Sequence, residues 1–150
     1  MKTAEEFIEH FTEKKIDIYR IKNECFLLDK DQKEIIDIIQ KEKKIMPKHA
    51  GTFLGKESKS RFAPSLALLE LLSKLSKYSD KKAVINEKSS WLFLCGRDVF
   101  AKSVISSPES GLVLVQNGRD ENLGLGKLEK GMIRIMNLMD RGDFLRRESK

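Results

Sequence analysis

The chain has 150 residues, a formal net charge of +6 and 40% hydrophobic residues. That length suits one large domain or two small ones and buries enough surface to need no disulfide or metal staple. No apolar run approaches the roughly 18 residues of a membrane span, and the start, MKTAEEFIEHF, is acidic and amphipathic, unlike a secretory signal. Cys25 and Cys95 stand far apart, and are expected as two buried thiols in a reducing, cytoplasmic compartment.

The positive charge is concentrated. Residues 41–61 hold Lys41, Lys43, Lys44, Lys48, Lys56, Lys59 and Arg61 against Glu42 and Glu57, a local excess of five. Such a stretch attracts polyanions through its field and through release of their counterions. A solvated lysine face would carry the same composition.

In chain order, Thr3 and Glu6 make a capping box, and Ala4, Phe7, Ile8 and Phe11 recur on one face of a helix ending near Lys14. Residues 16–21 alternate as a half-buried strand, Lys22 to Glu24 turn the chain, and Cys25 to Leu28 form a second strand. Asp29 or Asp31 caps the next helix, in which Ile35, Ile36, Ile38 and Ile39 form the apolar stripe to about Lys43. Gly51 to Lys56, GTFLGK, comes near a phosphate-binding P-loop. It has Thr52, Phe53 and Leu54 between its glycines where the motif has four residues, and Glu57 where it has Ser or Thr, which excludes a nucleotide-hydrolase site. A glycine-punctuated strand and loop displaying Lys56, Lys59 and Arg61 is what remains. From Pro64 and Ser65 a helix carries Leu66, Leu68, Leu69, Leu72 and Leu75 into a core, with Glu70, Lys74 and Lys77 toward solvent. The polar stretch at 78–82 separates an N-terminal domain (1–81) from a C-terminal one (82–150). Without a flexible linker, the two are expected to pack against each other.

The C-terminal half reads as mostly β. Ala83 to Ile85 and Trp91 to Leu94 are expected as short strands, with Trp91 in the core. Gly96 turns into a brief amphipathic helix bearing Lys102 and Ser103, with Phe100 on its buried side. Residues 112–116 and 123–128 pair across a loop containing Asn117-Gly118, a favoured turn dipeptide. Gly131 permits a turn into a strand from Met132 to Leu138. Gly124 and Gly126 inside a strand indicate a bulge, a bend that closes a barrel, or close approach of another backbone, a nucleic acid included. The fold class is therefore α+β, a small mixed α/β domain followed by a small barrel or sandwich.

Enzyme chemistry has little to stand on. His10 and His49 lack ligand spacing to another His or Cys, no nucleophile lies in an activating motif, and Asp120-Glu121 sit in a hairpin loop. No catalytic centre, metal site or cofactor is expected.

The stretches GTFLGKESKSRF (51–62), SSWLFLCGRDVFAKS (89–103), GLVLVQNGRDENLGLG (111–126) and MDRGDFLRRE (139–148) carry a resemblance. Residues 83–148 resemble a PUA domain, the RNA-binding pseudo-barrel named from pseudouridine synthases and archaeosine transglycosylases. The whole chain is similar to the Nip-seven family of large-subunit ribosome biogenesis factors, well over residues 50–148 and only in order of elements before that. The resemblance implies an α/β domain packed against a PUA pseudo-barrel, no catalysis, and a role in pre-rRNA processing. It further implies pre-rRNA and ribosome assembly proteins as partners of a monomer with no membrane association, cytoplasmic, or nucleolar or nuclear in a eukaryote. Carried over residue by residue, RNA contact falls to Arg97, Lys102 and Ser103 at the short helix and to Lys127, Lys130 and Arg134 on or between strands. Lys56, Lys59 and Arg61 form a second RNA-binding set.

Two departures qualify that carry-over. Many PUA domains have a glycine after the helix where this chain has Val104, and Asp98, Asp120, Glu121 and Glu129 interrupt the basic surface. With few aromatics expected at the surface, binding is expected to rest on phosphate and shape rather than on base readout. The alternative is a protein-interaction adaptor in pre-ribosomal or RNA-modification complexes, with weak RNA affinity.

Overall fold

A computed structural model describes residues 1–43, 51–76, 81–129, 131, 134–143 and 146. The chain divides into two compact units, Met1–Leu75 and Ser76–Lys150.

In the first unit, helix α1 (Ala4–Phe11) starts where the Thr3 hydroxyl accepts from the Glu6 N–H at 3.2 Å. The Glu6 carboxylate accepts in turn from the Lys2 N–H at 2.8 Å, so it reaches one residue further back than the usual capping box. The helix stops at Phe11 rather than near Lys14 because Thr12 is already extended. Its buried positions are Ala4, Phe7, Ile8 and Phe11, as the periodicity requires. Strands β1 (Ile18–Ile21), β2 (Glu24–Leu27), β3 (Thr52–Glu57) and β4 (Phe62–Pro64) form an antiparallel sheet in sequence order. Helix α2 (Lys30–Lys43) is capped by Asp29, which exchanges hydrogen bonds with Gln32 at 2.7 and 3.0 Å. Helix α3 (Leu66–Leu75) is capped by the Ser65 hydroxyl and buries Leu68, Leu69, Leu72 and Ser73.

The isoleucine stripe of α2 departs from expectation. Only Ile36 is buried, in a cluster with Ile21 and Phe26, while Ile35, Ile38 and Ile39 face solvent. The helix instead rests on an edge that places Gln40 within 2.6 Å of the Tyr19 hydroxyl.

Strand alternation puts Cys25 and Phe26 on opposite faces of β2. On the Cys25 side, one carboxylate gathers four donors. Glu57 accepts from the Arg20 guanidinium at 2.8 and 3.0 Å, from the Ala4 N–H at 3.0 Å and from the Cys25 thiol. Arg20 also bridges to Glu5. The guanidinium, foremost, holds the Glu57 carboxyl at about 2, far below its ordinary range, and burial followed by the Glu57 charge pushes the Cys25 thiol up to about 12. These bonds tie α1, β1, β2 and β3 together. Glu57, which broke the P-loop pattern in the sequence, is thus the anchor of the first unit.

In the second unit, six strands form one sheet. They are β5 (Lys82–Ile85), β6 (Val99–Phe100), β7 (Val104–Ser106), β8 (Gly111–Gln116), β9 (Asn122–Leu128) and β10 (Arg134–Asp140), in the order β6-β10-β9-β8-β5-β7. Only β5 and β8 are parallel. The two edge strands, β6 and β7, are joined by three residues, the 3-10 turn Ala101–Ser103. Three residues reach roughly 10 Å, so the sheet must curl until its edges lie side by side. The result is a nearly closed barrel around Ala83, Ile85, Phe93, Val99, Val113, Val115, Leu123 and Ile135.

Three expectations are corrected here. Trp91–Leu94 is not a strand but the end of helix α4 (Glu87–Leu94), because the Asn86 side chain accepts from the Ser89 N–H and starts a helix. A four-residue apolar run cannot by itself separate strand from helix. In helical phase Ser89, Ser90 and Phe93 turn inward and Trp91 turns out, 70% exposed. Phe100 is not buried on a helix: it follows Val99 on a two-residue strand, so Val99 points in and Phe100 points out, 55% exposed. Cys95 lies at the C-cap of α4 and is exposed, leaving only Cys25 buried.

The β8–β9 hairpin forms across the loop containing Asn117-Gly118, as expected, and its left-handed residue is Asp120 (φ 59°). The Asn117 side chain accepts from the Arg119 and Glu121 N–H groups at 3.0 Å each, and Lys82, 7% exposed, grips both Asp120 carboxylate oxygens at 3.0 Å.

Gly124 and Gly126 are both buried within β9. A Cβ on Gly124 would lie 2.0 Å from the Met139 carbonyl oxygen, and one on Gly126 would lie 2.6 Å from Ile135. Of the sequence alternatives, a bend with close approach of the neighbouring strand holds. The β9–β10 register shifts at this point, between Asn137 and Met139. Nucleic acid has no access to these glycines. The strand expected at Met132–Leu138 is observed as Arg134–Asp140.

Candidate nucleic-acid interface

The closure of the barrel builds a concave surface. Asn86 lies between β5 and α4, and its N–H donates to the Ser103 carbonyl at 3.0 Å, joining the start of α4 to the 3-10 turn. Between them opens a groove of about 440 Å³, with Lys88 and Leu92 from α4 on one wall and Phe100, Lys102 and Ser103 on the other. Arg97 and Asp98, from the loop after α4, complete it. Its size falls within the range of small-ligand clefts, roughly 300–1,000 Å³.

The charges in this groove are sorted by their partners. Asp98 is already engaged: it accepts from the Asn137 N–H at 2.8 Å and faces Arg134 at 3.4 Å. Lys88, Arg97 and Lys102 form no ion pair among the described residues, and all three are exposed. The groove therefore presents three uncompensated cations with one acid internally neutralised.

Of the residues expected from sequence, Arg97, Lys102 and Ser103 are brought together here. Arg134, opposite Phe100 in the β6–β10 register, lines a neighbouring groove with Val104, Ile105 and Glu109 and is held by Asp98. Lys127 sits on β9, two strands from β6 and so about 10 Å away, and pairs with Glu129 at 3.6 Å. Lys130 lies outside the described residues, as do Lys44, Lys48 and His49 of the lysine-rich stretch. Lys56, Lys59 and Arg61 belong to the first unit, on β3 and in the turn that follows it. That turn is closed by Ser58, whose N–H and hydroxyl both donate to the Arg61 carbonyl, at 2.9 and 2.8 Å.

Sequence reasoning missed Lys88, because its segment was read as a turn between strands. Asn86 followed by Glu87 and Ser89 is the helix-start signal that would have found it. Among the described residues, no group of three His, Cys, Asp or Glu side chains could hold a metal ion, and no helix is long and apolar enough to cross a membrane.

A nearly closed, six-stranded mixed sheet whose edges meet at a single 3-10 turn, with a short helix beside that turn, is the PUA-domain fold, an RNA-binding fold. Consistent with this, residues 81–149 match the family model described as the UPF0113 PUA domain. The chain is 35% identical over 115 residues to a UPF0113 protein of Archaeoglobus fulgidus, covering 68% of this chain and 64% of that protein. It is 32% identical over 105 residues to one of Aeropyrum pernix, covering 68% and 60%. It thus spans less than two thirds of these relatives. Among solved structures it is similar to a conserved PUA domain protein from Thermoplasma acidophilum (TM-score 0.51, 16% identity, 82% of this chain and 97% of that one). It is also similar to a hypothetical protein from Pyrococcus horikoshii OT3 (TM-score 0.54, 17% identity, 99% and 89%). At these identities the structural likeness speaks to fold alone.

Proposed function

We propose that this protein is a non-catalytic RNA-binding factor of large-subunit ribosome assembly, acting on pre-rRNA through the groove between α4 and the 3-10 turn. The observation that carries the reading is the set of three exposed cations, Lys88, Arg97 and Lys102, on one concave surface, with no ion-pair partner among the described residues. Phosphates are bound by such cations with release of counterions. The ribosomal setting rests on the resemblance to the Nip-seven family, and with it the assembly-protein partners, the monomeric state and a cytoplasmic or nucleolar location. Lys56, Lys59 and Arg61 serve as a secondary RNA contact.

The test is a titration of single-stranded RNA at several salt concentrations. Three phosphate contacts give a slope of log affinity against log salt near −2, at about 0.7 per contact. Charge reversal at Arg97 and Lys102 flattens the slope and weakens binding more than reversal at Lys56, Lys59 and Arg61. Equal losses from the two sets would overturn the assignment of the principal contact to this groove, and a larger loss from the second set would move it to the first unit. Absence of binding at low salt would sink the RNA reading and favour the second one, a protein-interaction adaptor. That second reading has its own support in the solvent-facing Ile35, Ile38 and Ile39 of α2.

A further inference from the structure

The wall of the groove carries an aromatic ring that the fold does not use. Val99 supplies the core contact of β6, and Phe100, its neighbour, contributes no buried surface to the barrel cluster. Yet the backbone of Phe100 is tied on both sides. On one side it pairs with Arg134 across the β6–β10 ladder. On the other it is the N-cap of the 3-10 turn, whose last carbonyl is held by the Asn86 N–H. A half-exposed ring on so constrained a backbone, in the same groove as Lys88, Arg97 and Lys102, meets the two requirements of single-strand recognition. Those are a flat apolar platform for a base and cations placed to follow the phosphates.

We infer that Phe100 is a stacking platform for an unpaired base, so that the groove takes single-stranded RNA and not duplex. The inference rests on the RNA-binding reading and narrows it to one ligand class. A duplex keeps its bases stacked on one another and offers only its shape, its phosphates and its 2′-hydroxyls, none of which would engage a ring inside a groove. A splayed base can enter, lie on Phe100 and leave its sugar-phosphate on the cationic rim. Ser103 also lines the groove and adds a polar residue to the wall beside Phe100. Trp91, exposed on α4 three residues after Lys88 and thus its neighbour on the helix surface, lies beside the groove. It is the one tryptophan of the chain and a built-in fluorescent reporter.

The full-length protein and its Phe100→Ala, Phe100→Leu and Phe100→Tyr variants are titrated with a short unstructured RNA strand and with the duplex it forms with its complement. Anisotropy of labelled RNA and Trp91 quenching are both followed. Phe100→Ala should weaken single-strand binding about 5- to 150-fold, the range that base–aromatic stacking spans, and leave the salt slope unchanged because the phosphate contacts remain. Phe100→Tyr should restore affinity and Phe100→Leu should not. Wild-type binding to duplex should be weaker and indifferent to all three variants. Unchanged single-strand affinity in Phe100→Ala, or equal wild-type affinity for strand and duplex, overturns the stacking role while leaving RNA binding in place. A wild-type protein that binds neither RNA at low salt overturns the function it rests on as well.

Discussion

Replacing Glu57 by glutamine keeps the size of the side chain and removes the charge that Arg20, Ala4 and Cys25 all address. At neutral pH a carboxyl held near 2 instead of its ordinary 4.5 contributes at most about 3.4 kcal/mol, at about 1.36 kcal/mol per pH unit. Arg20 is 36% exposed and the Glu57 side chain 18%, so solvent screens part of this. A loss of about 1–3 kcal/mol is expected for Glu57→Gln, in line with hydrogen bonds to charged groups. The sign of the pH dependence follows from the lowered pKa of the folded state. The unfolded chain takes up the proton first, so the contribution is complete above about pH 4.5 and disappears as pH falls through about 2. Native-state hydrogen exchange of the β1–β3 amides isolates the first unit from the second. Wild-type and Glu57→Gln should differ by the full amount at pH 7 and converge near pH 2. A penalty that is the same at both pH values would show that the glutamine merely packs badly and that the ion pair stabilises nothing.

Two further outcomes follow from the same geometry. Gly124→Ala places a Cβ 2.0 Å from the Met139 carbonyl, on a backbone with φ of 152°, and should cost about 3 kcal/mol or more. Gly118→Ala, with nothing within 4 Å, should stay within about 0.5 kcal/mol of wild type; comparable melting temperatures for the two variants would contradict the close-approach account of β9. In the native protein at pH 8, a small alkylating reagent should modify exposed Cys95 and spare Cys25, whose thiol is buried and pushed up to about 12. Mass spectrometry showing Cys25 modified at the same rate would mean that the α1 side of the first sheet opens readily.

Much of the fold could be read from residue pattern because those segments obey one rule at a time. Thr3 and Glu6 cap α1, Ser65 caps α3, and the β8–β9 hairpin alternates over an apolar core with a polar loop between. The reading failed where a segment was too short for its period to show. Trp91–Leu94 is four apolar residues, and its phase was set three residues upstream by Asn86 and Ser89. Phe100 occupies the second position of a two-residue strand, whose direction is imposed by β10 and by no local signal. Both misreadings removed aromatics from the surface, which is why the sequence pointed to phosphate and shape alone. At the site, Arg97, Lys102 and Ser103 line one groove, an arrangement that their spacing in the sequence did not give. Arg134 is held by Asp98, an acid that only the three-dimensional arrangement brings near, whereas Lys127 pairs with Glu129, its neighbour two residues along the chain.

The joint at Ala101–Ser103 has a consequence for how this barrel responds to a ligand. The ring of strands is completed where the ladders are shortest, two residue pairs between β6 and β10 and two between β5 and β7, and the β6 side of that joint is also a wall of the groove. Whatever fills the groove fastens the closure, so occupancy and closure are thermodynamically linked. Amide exchange at Val99, Phe100 and Val104–Ser106 should slow on binding more than exchange in β8 or β9. A ligand in the groove would then act as a latch on the barrel as well as its cargo.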